Sequence, residues 1–237
     1  ARLAEDHLRA LRAVRFAARL QFKLDDATGG AIRRHARDLA GVSRERIGDE
    51  IRRMMAHPTR ADAARLIEDL GLDRPVLGAS QPSGAGRLTR LGAAADLGQC
   101  LAAWVLDRGE ATPETMEKLI GRLRRPLLLS NDERGDLADS LRMYFELSGW
   151  EDFSIAARKR LAARDRFPGA LELSSEGDEA TRREAIEADI RVLKGTPSGL
   201  APTPLLTGDD LIGAGLHPGP RFGRILEAVY DAQLEDR

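Results

Sequence analysis

From residue 3 to residue 235 the chain reads as one helix-length segment after another, punctuated by Gly, Pro and capping residues. No stretch alternates apolar and polar side chains as a half-buried strand would. Ala, Leu and Arg dominate and aromatic residues make up only 4%, so local propensity favours helix throughout. Helices are predicted over 3–21 and 28–38, from Ser43 to before Pro58, and from Thr59 to Gly71. Ser43 and the Thr59/Asp62 pair serve as expected caps. The Gly/Pro/Ser-rich stretch 73–86 reads as a long loop. Helices follow over 88–107, 113–124, 131–147 and 151–165, the second opened by Thr112-Pro113-Glu114. A polar stretch at 166–178, a helix over 179–194 and a Pro/Gly linker at 195–206 come next. Thr207-x-x-Asp210 opens a short helix and Pro218-Gly219-Pro220 the last, over 220–235. There is no repeat of 20–50 residues. The expected fold class is all-α, in three parts: a small N-terminal helical domain (1–72), a helical body (73–165) and a helical tail (166–237).

Several functional classes drop out. The single Cys100 leaves no intramolecular disulfide and no cysteine-based zinc site. No apolar run reaches the ~20 residues of a membrane span, and the N-terminus lacks a signal-peptide core, so no membrane association and a cytoplasmic address are expected. The net charge of −1 hides an asymmetry: residues 1–60 carry 14 Lys/Arg against 8 Asp/Glu, the remainder 23 against 30. A basic N-terminal segment suits a local nucleic-acid surface, although a charge run is more often a solvated face.

The first predicted helix is the most informative. At about 100° per residue, Leu3, Leu11, Val14 and Ala18 fall in one arc. Arg2, Glu5, Asp6, Arg9, Arg12, Arg15 and Arg19 fall opposite. Glu5/Arg9 and Asp6/Arg9 have the spacing of ordinary surface ion pairs. Their surroundings point further. Glu5-Asp6-x-x-Arg9, then Arg12, then Ala13-Val14-Arg15-Phe16-Ala17, resembles motif D of the class II nucleotidyltransferases, the CCA-adding enzymes and bacterial poly(A) polymerases. Gln21 stands where the family mostly has Gly. The resemblance implies that Asp6 and Arg9 read the base of an incoming nucleotide, that Glu5 orients Arg9, and that Arg12 belongs to the same nucleotide-binding set. The chemistry is coherent. Cytosine and adenine each show a ring acceptor beside an amine donor, matching arginine's donors and aspartate's acceptors. Uracil and guanine oppose like groups to that pair, which is costly in a desolvated pocket.

The resemblance continues along the chain. Leu39, Val42, Ser43, Glu45, Arg46 and Ile47 resemble the family's neck segment, followed by a similar stretch at 58–72. Residues 127–134 (LLLSNDER) resemble a body motif. Residues 203–237, with Gly208, Asp210, Leu211, Gly215, Pro218-Gly219-Pro220 and Gly223, resemble the tail. Ser43, Asn131 and Gly215 also have plain structural readings as helix starts and stops. Gly208, Gly219 and Arg221 are candidate RNA-binding residues, offering backbone N–H groups and a guanidinium to tRNA phosphates.

The two metal-binding carboxylates of a D-x-D strand motif are absent from this sequence, as is a phosphate-binding G-x-x-x-x-G-K-[ST] loop. The four histidines lack metal-ligand spacing. No catalytic residue and no metal ligand is therefore assigned. The chain is expected to be a piece of a longer enzyme, lacking the N-terminal catalytic α/β head and inactive alone. The resemblance implies Mg2+ for the full-length parent only, ATP and CTP as nucleotide substrates, and a tRNA or other RNA 3′ end as partner. An A-adding or poly(A)-polymerase parent is the alternative, and a non-catalytic α-helical RNA-binding or scaffold protein is the alternative from another class.

Overall fold

The computed structural model describes residues 6–79, 84, 86–174 and 178–237. Among these there are helices and turns and no strand, the all-α fold expected. The helices are α1 (Arg9–Leu20), α2 (Asp26–His35), a 3-10 turn (Ala36–Gly41), α3 (Arg44–Met55), α4 (Arg60–Asp69), α5 (Asp73–Leu77) and α6 (Gly86–Arg90). Then come α7 (Leu97–Asp107), α8 (Met116–Leu127), α9 (Asn131–Glu146), a 3-10 turn (Leu147–Asp152), α10 (Ile155–Ala162), α11 (Phe167–Leu173), α12 (Asp178–Lys194), α13 (Gly208–Gly213) and α14 (Pro220–Leu234).

The chain forms two compact units, Ala1–Phe145 with Gly169–Glu176, and Glu146–Pro168 with Gly177–Arg237. In the first, Leu11, Val14 and Ala18 of α1 join Ile47 and Ile51 of α3, Ile67 of α4, Leu101 and Trp104 of α7, and Leu137 and Leu141 of α9 in one apolar core. The stretch 73–86 is not wholly loop, since it holds α5 with Val76 and Leu77 buried in that same core; the helix expected over 88–107 is broken into α6, with Leu88 buried, and α7. Five-residue helices are unstable alone; burial of these side chains holds them.

Two glycines set helix spacing in this unit. A Cβ on Gly48 would stand 2.4 Å from the Leu127 carbonyl oxygen, and one on Gly98 2.6 Å from the Asp136 backbone carbon. α3 thus rests against the end of α8, and α7 against α9, at distances that only a missing side chain permits. Gly48→Ala should lower stability by about 1–3 kcal/mol, because overpacking outweighs the gain in helix propensity. Thermal unfolding would show this as a Tm loss of several degrees, and an unchanged Tm would mean that the two helices separate freely.

Some expected helix starts are built differently. Thr59 precedes α4, but its hydroxyl pairs with His57 Nδ1 at 2.8 Å and makes no cap bond. Ser43 precedes α3, also without a side-chain cap bond. After Thr112-Pro113-Glu114, α8 begins only at Met116, and the Thr112 hydroxyl donates to Glu114 at 2.7 Å. Asn131 does begin α9, where Ser130 and Glu133 cap reciprocally: the Ser130 N–H donates to Glu133 at 2.8 Å and the Glu133 N–H to Ser130 Oγ at 3.1 Å.

In the second unit, Leu147, Trp150, Leu161, Phe167 and Ile186 are buried. Lys159 of α10 is fully buried and replaces water with fixed partners: Nζ donates to Thr196 Oγ1 and Ser198 Oγ, both at 2.6 Å, and lies 3.7 Å from Asp236. A buried ammonium requires such a shell; it fastens the end of the chain to the 195–199 turn.

Candidate nucleotide and nucleic-acid site

Asp6 lies just ahead of α1 and not inside a longer helix. Its Oδ1 accepts the Leu8 N–H at 3.2 Å, and its carbonyl accepts the Arg9 N–H at 3.0 Å. An aspartate bonding the amide two residues on favours a turn over continued helix, so α1 starts at Arg9 and does not run back through Asp6. Glu5, with the expected role of orienting Arg9, and the neighbouring Arg2 and Leu3 lie outside the described residues.

Beyond that turn the apolar arc is buried as expected, with Leu11 and Val14 at 0% exposure. The opposite face is charged: Arg9 and Arg15 are half-buried, Arg12 and Arg19 exposed. α3 supplies its complement. Arg46 donates through one terminal nitrogen to both Asp6 oxygens, at 3.1 and 3.0 Å. One turn later Glu50, with only 3% of its side chain exposed, accepts Arg15 Nε at 2.7 Å; Arg12 Nε lies 3.5 Å away and Arg53 3.9 Å. Arg12 is also 4.0 Å from Asp6. Burial pushes the Asp6 carboxyl upwards, but the Leu8 amide, the Arg46 hydrogen bond and charge, and the Arg12 charge outweigh it and hold it below the ordinary value. Asp6 is therefore a pure acceptor at neutral pH, with lone pairs left after serving Leu8 and Arg46.

The site thus spans two helices. Arg46 belongs to a segment the sequence had marked; Glu50 had no role assigned. Its one readable signal is its position, one turn after Arg46 on the same helix face.

Gly208, Gly219 and Arg221 lie in the second unit. Gly208 opens α13 beside a Thr207–Asp210 capping box, so Asp209 and Asp210 crowd that helix start. Gly219 precedes α14 in extended backbone, with Pro220 first in the helix and Arg221 exposed. The positive end of α14 carries no acid in its first turn, which suits an anion better than the Gly208 end does. Gly215, at φ +83, ends the α13 turn as expected. Among the described residues no three His, Cys, Asp or Glu side chains are grouped to hold a metal ion, and no helix is long and apolar enough to cross a membrane.

The described residues thus form an all-α chain with an aspartate just ahead of helix α1 and arginines along it. Parts of it resemble known proteins. Residues 21–79 match the family model described as "Probable RNA and SrmB- binding site of polymerase A". A CC-adding tRNA nucleotidyltransferase of Thermus thermophilus is 30% identical across 99% of this chain and 64% of its own length. A CCA-adding enzyme of Geobacillus kaustophilus is 42% identical over 71 residues, covering 30% of this chain and 18% of that protein. The solved structure of the Bacillus stearothermophilus CCA-adding enzyme in complex with CTP shares the fold with a TM-score of 0.68 at 23% identity, covering 99% of this chain and 58% of that one. The chain spans less than two thirds of the Thermus relative's length. These findings show likeness to the C-terminal portion of CCA-adding and poly(A) polymerase family members.

Proposed function

We propose that the chain is the nucleotide- and RNA-recognising portion of a tRNA nucleotidyltransferase that adds C and A to tRNA 3′ ends. The observation that carries this reading is the Asp6 carboxylate, kept ionised and fixed by Leu8 and Arg46, 4.0 Å from Arg12 and in the turn that leads into Arg9. A base seated there meets acceptors from Asp6 and donors from Arg9, the complement of C and A and not of U or G. Arg12 and Arg15, steered by Glu50, add positive charge along the same helix for the nucleotide's phosphates or the RNA end. The bond-making chemistry belongs to carboxylate-held Mg2+ elsewhere in the parent; this chain's residues bind and discriminate, with ATP and CTP as the substrates read. In this reading the first helices are the neck, residues 73–165 the body, and the tail residues Gly208, Gly219 and Arg221 contact RNA, in the cytoplasm.

A second reading is favoured by the Thermus relative, which matches nearly the whole chain and is CC-adding: the parent would add C and C and leave A to another enzyme. A parent adding A alone or poly(A) is favoured by the family model's description. Incubating the full-length parent with tRNA lacking its 3′ CCA and with labelled CTP and ATP separates the three. C, C and then A is the expected product; C alone or A alone selects one of the others, and no incorporation with any nucleotide would overturn the enzymatic reading.

A further inference from the structure

The first unit has a second basic feature, lined by residues other than those that bind Asp6. The C-terminal end of α2, the following 3-10 turn and the α4–α5 junction enclose an open groove of 810 Å³. Arg33, Arg37 and Arg74 line it, all exposed, over a floor of Ala36, Ala40 and Leu70. Arg33 is fixed there, its Nε donating to the Asp69 carbonyl at 3.1 Å. A further guanidinium, Arg44, ties the wall together by donating to the Pro75 carbonyl at 3.1 Å. Two acids also border the groove. Glu68 turns inward, accepting Trp104 Nε1 at 2.7 Å and Arg108 at 3.1 Å, so its charge is spent in the interior. Asp69 alone is exposed. The groove therefore presents three guanidinium groups against one solvent-facing carboxylate.

The bland account is that Arg33 and Arg34 sit in the last turn of α2, where a cation suits the helix dipole. That does not explain Arg37, which lies beyond the helix, or Arg74, second residue of the five-residue α5, a helix too short to carry a strong dipole. Nor does it explain why all three converge on one concavity of nucleotide size. Guanidinium groups spaced along an open groove match successive phosphates, and small apolar residues between them suit sugar and base edges.

We propose that this groove is a docking site for the phosphate backbone of an RNA strand, built from other residues than the base-reading set of Asp6, Arg9 and Arg12. The proposal rests on the RNA-binding reading given above and adds its location. The whole groove lies within residues 21–79, the stretch matching the RNA-binding family model.

The test uses the full chain and a fluorescent RNA hairpin with a single-stranded 3′ end, followed by anisotropy across a salt series. Arg37→Glu/Arg74→Glu reverses two exposed charges at little risk to folding. Arg65→Glu/Arg142→Glu makes the same change in net charge at two exposed arginines outside the groove, each paired with a neighbouring aspartate. The groove variant should bind roughly tenfold more weakly, with a salt slope about 0.7 shallower for each phosphate no longer neutralised, and the control should stay near wild type. Equal losses in both variants, or none in the groove variant, would overturn the groove while leaving RNA binding intact. Absence of RNA binding by the wild-type chain would instead overturn the RNA reading itself. A parallel titration with ATP separates the sources of phosphate: dependence of ATP binding alone on Arg37 and Arg74 would make this a free-nucleotide site and also refute the proposal.

Discussion

Replacing Asp6 by Ala in the full-length parent should leave primer extension in place while the enzyme loses its preference for C and A over U and G. Asp6 supplies the acceptors in the proposed base-reading pair and Arg9 the donors. Each unmatched polar group in a desolvated pocket costs about 1–3 kcal/mol, so each substitution should erode discrimination by roughly ten- to a hundredfold. Asp6→Asn is the sharper variant. It keeps shape and size but adds a donor, so it should admit U and G and weaken C and A without abolishing either. Arg9→Ala should raise KM for both correct nucleotides. The effect should be functional and not a folding defect, because Asp6's partners Arg46 and Arg12 are 47% and 46% exposed and remain solvated without it. Misincorporation assays and thermal unfolding on the same variants decide the matter. Unchanged nucleotide choice in both Asp6→Ala and Arg9→Ala would reduce Asp6 to a turn-forming residue in a surface ion pair.

Much of this arrangement was legible in the sequence because it rests on periodicity. The apolar arc Leu11, Val14 and Ala18 is buried and the charged arc faces away, as a 3.6-residue repeat requires. What escaped has a common cause: it depends on residues far apart in the chain. Arg46 reaches Asp6 across 40 positions and Arg15 reaches Glu50 across 35. α5 hides in a stretch of Gly, Pro and Ser because tertiary burial of Val76 and Leu77, not local propensity, makes it helical. The first unit takes in residues 169–176 after a gap of more than twenty positions, which no local pattern announces. Helix starts differ from expectation where a competing bond takes the capping hydroxyl, as His57 does with Thr59. The arginine groove was invisible for the same reason: Arg33, Arg37 and Arg74 share no helix face until the α4–α5 junction folds back beside α2.

Arg108→Ala should be the most destabilising of these changes. Arg108 has no exposed side-chain surface and holds three carboxylates that are themselves 2–6% exposed: Glu110 at 2.6 Å, Glu68 at 3.1 Å and Asp73 at 3.4 Å. Its remaining nitrogen donates to the Ala79 carbonyl at 3.2 Å. Removing one partner of a buried ionic cluster costs about 3–5 kcal/mol, since the stranded charges have neither water nor a counterion. Not all is lost with Arg108: Glu110 keeps Arg122, Glu68 keeps the Trp104 indole, and Asp73 keeps the Arg74 N–H. Arg108→Lys should fall between, because one compact ammonium does not span three acceptors in different directions. Denaturant unfolding of both variants measures the loss. A loss below about 1 kcal/mol in Arg108→Ala would mean that these carboxylates are balanced without Arg108.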